Sequence, residues 1–142
     1  MRRTSPFACA IAFVLAALPA LAGTLTITNA WSRSTPPGVK VGVVYFTLNN
    51  DTGKSDRLIR ISSPVAENVQ VHRTEILDGI ARMREVAVLH VDAGQTLEFA
   101  PNGMHVMLTG LKKPLVEGEK FELELQFEVA GARKAQVVVR KD

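Results

Sequence analysis

Hydrophobic and polar residues alternate with a period of two along most of this chain. The clearest example is the segment 121–129, in which phenylalanine, leucine and valine alternate with glutamate and glutamine. The same alternation, or a short run of aliphatic residues, occurs at 24–29, 41–48, 58–61, 69–73 and 137–139. This pattern indicates strands that bury one face.

Turn-forming residues separate these segments, and no stretch shows the period of an amphipathic helix. The turn signals, which are rich in glycine, proline, asparagine and aspartate, lie at 36–38, 49–53, 78–79, 92–94, 101–103, 117–118 and 130–131. Short strands at this spacing predict an all-β sandwich or small barrel. No internal repeat or linker divides the chain, so we expect a single domain.

The dipeptide Asp78-Gly79 predicts a two-residue hairpin turn between Leu77 and Ile80. Counting outward from this turn pairs Thr74 with Met83 and His72 with Glu85. His72 and Thr74 are two residues apart, so they share a face, and Met83 shares it with them. His72 and Met83 are therefore predicted to be diagonal neighbours, with backbones roughly 7–8 Å apart.

A second pair of the same residue types follows at His105 and Met107. These two residues are also two apart, so they share one face of a strand. Together the four residues form the pattern H-x(10)-M-x(21)-H-x-M. Imidazole and thioether groups make a soft, uncharged ligand set that suits Cu(I) better than Zn(II), Mg(II) or Ca(II).

Each of these four residues taken singly has a common structural explanation, because a strand histidine is often solvated and a methionine often packs in a core. Within each pair the histidine and the methionine share one face of the sheet, and this favours a metal site. The alternation alone cannot show that the fold brings the two pairs together. Met104 directly precedes His105 and therefore points to the opposite face of the strand, where we expect it to pack in the core. His90 is expected in a loop before Asp92 and is not counted as a ligand.

The first residues have the features of an export signal. A basic start is followed by an apolar run over 7–18 and by Pro19-Ala20-Leu21-Ala22, with cleavage expected after Ala22. We therefore expect a signal peptide at 1–22, a mature domain at 23–142 and a periplasmic location. The apolar run is shorter than the ~20 residues of a spanning helix, so no stable membrane insertion is expected. Cys9 lies early in the run without lipoprotein-type context.

Charge and cysteine content exclude several classes of function. The chain has 17 Lys+Arg and 14 Asp+Glu, and two of the arginines, Arg2 and Arg3, lie in the expected signal. The near-neutral remainder gives no electrostatic case for nucleic-acid binding. Cys9 is the only cysteine, so the mature domain would have no thiol nucleophile and no thiolate ligand of the kind a blue-copper centre requires. No catalytic motif is present, and we expect a protein that is not an enzyme.

The chain resembles the periplasmic PCu(A)C copper chaperone family, whose H-x(10)-M-x(21)-H-x-M motif it matches at His72, Met83, His105 and Met107. Further similar segments lie at 30–38, 42–45, 62–66, 105–108 and 110–115. The resemblance implies a cupredoxin-like Greek-key β-barrel with one exposed Cu(I) site, and we expect a monomer. It also implies copper delivery to the copper-bearing subunit of a respiratory cytochrome oxidase, of the CuA type or related, together with a Sco-type thiol protein.

Two local departures from the family pattern stand beside the motif, namely Arg73 after the first histidine and Met104 before the second. Neither removes a motif residue. A periplasmic copper resistance or storage protein remains an alternative, because the same ligands could sequester the metal. A copper oxygenase of the histidine-brace type would need histidine at the mature N-terminus, where Gly23 is expected. A purely structural sandwich also remains open.

Overall fold

The computed structural model describes residues 23–141 and shows an all-β protein, as the alternating pattern predicted. Its ten strands are β1 (Leu25–Arg33), β2 (Val41–Asn50), β3 (Asp56–Ser62), β4 (Ala66–Leu77), β5 (Ile80–Glu85), β6 (Leu89–Val91), β7 (Thr96–Phe99), β8 (Met104–Leu111), β9 (Lys120–Phe127) and β10 (Gly131–Arg140). Across 23–141 there is no helix that could span a bilayer. The expected signal peptide at 1–22 lies outside the described residues.

All ten strands belong to one sheet, in the order β5-β4-β8-β7-β2-β1-β10-β9-β3-β6, with β8 also pairing with β2. Most neighbours are antiparallel, while β1 runs parallel to β10 and β7 runs parallel to β8. The order is far from sequential, and β3 contacts β4 although six strands lie between them in the sheet. The all-β class is confirmed, and the arrangement is compatible with a cupredoxin-like Greek-key fold.

The core lies on one face of the alternating strands. In β9 the residues Phe121, Leu123, Leu125 and Phe127 are buried, and the residues between them are only partly buried. In β8, Val106 and Leu108 are fully buried in the same core. The residues that alternate with them along β8 point to the opposite face, away from this core.

Three expectations about local structure were wrong. His90 lies in the short strand β6, paired with Arg57, and not in a loop. Val129 does not continue β9 but lies beyond its end, exposed in the turn before β10. The alternation in β1 is interrupted by a bulge between Thr28 and Trp31, where Asn29 has a φ of 53°. A bulge moves later residues to the other face, which simple counting cannot anticipate.

A buried carboxylate at the start of β3 holds the turn that joins β9 to β10. Asp56 accepts hydrogen bonds from the backbone N–H groups of Arg57 (2.7 Å), Val129 (2.9 Å) and Ala130 (2.8 Å). Burial by itself raises the pKa of this carboxyl, but the backbone donors, including that of Glu128, outweigh it and hold the pKa below its ordinary value.

Replacing Asp56 by asparagine is expected to lower the free energy of unfolding by about 1.5–3 kcal/mol at pH 7, because a neutral amide keeps one acceptor oxygen where the carboxylate has two. A carboxyl whose pKa is lowered in the folded state contributes stability above its unfolded pKa and loses it as pH falls through the folded value. The difference between wild type and Asp56→Asn should therefore shrink on acidification. Urea titrations from pH 7 to 3, with the exposed Asp92→Asn as control, would measure it. A pH-independent difference would contradict this role.

Candidate metal centre

The pairing of β4 with β8 places His72 directly opposite His105. The two imidazole rings lie with their centroids 5.9 Å apart and their planes inclined by 20°. Metal–imidazole bonds are about 2.0 Å long, so both rings are close enough to reach one ion between them. The fold thus brings together the two histidines that the sequence pattern could only place on separate strands.

The two methionines lie on the same face as the histidines. Met83 pairs with Thr74 across the β4–β5 hairpin, in the register counted from the turn, and Asp78 and Gly79 have the positive φ values of 52° and 75° expected there. Met107 pairs with Gln70 on β4. Because Gln70, His72 and Thr74 alternate along β4, all of their cross-strand partners share one face. We call the group of His72, Met83, His105 and Met107 the ligand cluster.

Two buried ring nitrogens within the ligand cluster have no hydrogen-bond partner. The Nδ1 atom of His105 lies 3.1 Å from the carbonyl oxygen of Gly103, and because a carbonyl oxygen only accepts, Nδ1 is the donor. The Nε2 atom of His105 and the Nδ1 atom of His72 are buried without a partner. A buried nitrogen with an unused lone pair is costly unless something binds it. These two atoms therefore fit a metal ion better than they fit an apolar interior.

The members of the ligand cluster differ in solvent exposure, from the buried His105 to the exposed Met83. The His105 side chain is only 5% exposed, His72 and Met107 are partly buried, and Met83 is 53% exposed. Met83 belongs to β5, the last strand of the sheet, in which every residue is exposed. A metal held here would be anchored by His105 and accessible from the side of Met83.

No group of three or more histidine, cysteine, aspartate or glutamate side chains suited to a metal exists within 23–141. Glu85 pairs with His72 and shares its face, but its side chain is exposed. A site of three or four ligands at this place therefore depends on the thioether sulfurs. That composition favours a soft monovalent ion over Zn(II) or Ca(II).

Met104 and His90 lie outside the ligand cluster, and Met104 packs in the core as its position beside His105 predicted. Met104 is 8% exposed and packs in the core, and its sulfur lies 3.7 Å from a guanidinium nitrogen of Arg73. Arg73 and Met104, the two departures from the family pattern, thus contact each other on the face of the sheet opposite the ligand cluster. His90 is exposed on β6, at the other end of the strand order.

Sequence reasoning missed the Gly103 carbonyl as the group that orients His105. A partial signal was available, because Gly103 precedes His105 by two residues in a predicted turn. A backbone carbonyl bound to the outer nitrogen of a ligand histidine is a common device for fixing the ring. Its presence here strengthens the assignment of the other ring nitrogen to a metal.

Comparisons with known proteins agree with this picture. Residues 25–139 match the model of the family described as "Putative lipoprotein LpqE-like", and the chain belongs to this family. It is 29% identical over 115 residues to "Putative lipoprotein Lxx21020" of Leifsonia xyli subsp. xyli, covering 80% of this chain and 68% of that protein. It is 30% identical over 129 residues to "Uncharacterized protein RP573" of Rickettsia prowazekii, covering 88% and 71%.

Two solved structures share the fold over most of both chains. The copper-bound PCuAC domain from PmoF2 superposes with a TM-score of 0.71 at 25% identity, covering 85% of this chain and 96% of that one. The solution structure of CuI-DR1885 from Deinococcus radiodurans has a TM-score of 0.70 at 30% identity, covering 87% and 83%. The resemblance to PCu(A)C domains is thereby confirmed.

Proposed function

We propose that this protein is a periplasmic Cu(I)-binding metallochaperone that delivers copper to the copper site of a respiratory cytochrome oxidase. The observation that carries the proposal is that two unpartnered buried ring nitrogens and the residues of two thioethers share one face of neighbouring strands. The similar structures named above hold copper, one of them as Cu(I), which supports the choice of metal. The proposed ligands are His72, Met83, His105 and Met107.

The ligand cluster is suited to carrying a metal and releasing it. Its four groups are uncharged, so a bound Cu(I) ion would not be held by a strong electrostatic attraction. The exposed Met83 is the ligand that an incoming group would replace first, while His105 keeps the ion in place until the exchange is complete. A thiolate ligand of an acceptor forms a stronger bond to a soft ion than a thioether does, and would draw the metal away.

The accessible position of Met83 favours a carrier over a copper store. A store is served best by ligands that are closed off from solvent, whereas a carrier must present the metal to its partner. Residues 1–22 have the features of an export signal, and the matched relative from Leifsonia xyli is described as a lipoprotein, which supports a location outside the cytoplasm. The proposed partners are the oxidase subunit that bears the CuA-type site and a Sco-type thiol protein. We propose that the chaperone is itself a monomer and not an enzyme.

A transfer assay tests this function. The Cu(I)-loaded protein is mixed anaerobically with a purified soluble oxidase fragment that carries the empty copper site, with and without a Sco-type protein. We expect copper to appear in the fragment, as measured by its absorption spectrum after oxidation and by metal analysis of the separated proteins. Copper that stays with the original protein under both conditions would support the storage alternative, and a protein that binds no Cu(I) would exclude both.

A further inference from the structure

Three methionines lie on β5 and β8, and they differ strongly in how exposed they are to solvent. Met83 is 53% exposed, Met107 is partly buried, and Met104 is 8% exposed. Small oxidants in solution attack a thioether at its sulfur, so susceptibility follows exposure. The three side chains therefore differ in how readily an oxidant can reach them.

The strand environment of each residue reinforces this difference. Met83 lies on β5, which pairs only with β4 among the strands in 23–141, so one side of Met83 has no neighbouring strand. Met107 lies on β8 between Gln70 of β4 and Val43 of β2. Met104 faces the core. Met83 is thus open to solvent on a side where Met107 has a neighbouring strand.

We propose that Met83 is a site of reversible oxidation to methionine sulfoxide, and that this modification weakens copper binding. The inference rests on the proposed function, because it requires Met83 to be a copper ligand. The oxidant is of the peroxide class. The sulfur lone pair attacks one peroxide oxygen, an S–O bond forms and the O–O bond breaks. The proton on the attacked oxygen passes to the other oxygen, which leaves as water, so that sulfur is oxidised by two electrons and the peroxide is reduced by two.

The product is a poorer ligand for Cu(I) than the thioether. Oxidation withdraws electron density from sulfur and adds a hard oxygen, whereas Cu(I) prefers soft donors. The change is local, because Met83 lies on an exposed strand and contributes nothing to the buried core. The fold is therefore retained, and methionine sulfoxide reductases, one for each sulfoxide epimer, can restore the ligand with two electrons from a thiol reductant.

The experiment oxidises the metal-free protein with limiting hydrogen peroxide in the presence of a chelator that removes trace metals. Peptide mass spectrometry follows the oxidation of the three methionines with time. After the peroxide is removed, Cu(I) affinity is measured by anaerobic competition with a chromophoric chelator. We expect Met83 to be oxidised first, Cu(I) affinity to fall at least about tenfold in proportion to its sulfoxide, and reductase treatment to restore it.

Two variants make the result specific. Met83→Leu should bind Cu(I) more weakly from the start and show no further loss when peroxide is applied at the dose that modifies Met83 in wild type. Met104→Leu should behave like wild type throughout. The inference is overturned if Met107 or Met104 is oxidised as fast as Met83, or if a protein fully oxidised at Met83 keeps its affinity. Untreated protein that binds no Cu(I) would instead contradict the proposed function itself.

Discussion

Replacing His105 by alanine is expected to weaken Cu(I) binding by more than about 100-fold, since loss of even an outer-shell partner of a metal ligand commonly costs 10–100-fold. His105 is the most buried member of the ligand cluster, its Nδ1 is held by the Gly103 carbonyl, and its buried Nε2 has no hydrogen-bond partner and is therefore the atom proposed to bind the metal. Its removal eliminates the anchoring bond and leaves His72 as the single nitrogen donor. Anaerobic competition against a chromophoric Cu(I) chelator would measure the loss.

The controls for this prediction lie close by in the sequence. Met104→Leu keeps the volume of a buried side chain and removes a sulfur from the opposite face, so Cu(I) affinity should stay within about twofold of wild type. His90→Ala should be equally neutral. Met83→Leu should weaken binding without changing the unfolding midpoint, because the residue is exposed. Equal losses from Met104→Leu and His105→Ala would show that the metal lies elsewhere.

The second large effect concerns the choice of metal. The protein is expected to prefer Cu(I) over Zn(II) by at least about a thousandfold, because thioethers are soft ligands and zinc sites use thiolate, imidazole or carboxylate. The absence within 23–141 of any suitable group of three histidine, cysteine, aspartate or glutamate side chains leaves Zn(II) with only the two histidines at this place. Parallel titrations with chelators specific for each metal would give the ratio.

A matched variant tests the reason for this selectivity. Met83→His provides a third imidazole on the same face, at an exposed position where the change should not disturb the core. Zinc affinity should rise in this variant and Cu(I) affinity should fall, which would trace the preference to sulfur. A wild-type protein that binds both metals equally would refute the assignment of a soft site.

The relative positions of His72 and Met83 could be predicted from the sequence, because a two-residue turn determines the pairing of the strands beside it. The Asp78-Gly79 dipeptide correctly placed Met83 opposite Thr74 and on the face of His72. The meeting of His72 with His105 was different, because β4 and β8 are distant in sequence and no turn sets their register. Only the family resemblance implied that the two pairs converge, and the structure now shows that their strands are neighbours.

The errors have a common physical origin in features that break the period of two. The bulge at Asn29 in β1 adds a residue that counting cannot see, and β6 is too short to produce a clear alternation around His90. The unpartnered ring nitrogens of His72 and His105 could not be predicted from the sequence either, because the lack of a partner depends on which atoms surround each ring. The assignment of the four ligands stays a prediction until a metal-binding experiment tests it.

The open position of β5 has a consequence for how the protein behaves at high concentration. An edge strand offers unpaired backbone groups to any other chain, and exposed apolar side chains such as Ile76 and Ile80 near the hairpin turn increase the risk of aggregation. Arg82 and Arg84 lie on this strand, and Arg84 contacts Glu75 at 3.4 Å. Charged residues on an edge strand oppose pairing with a strand of another chain, so these arginines reduce the risk of aggregation that comes with an accessible methionine at this edge.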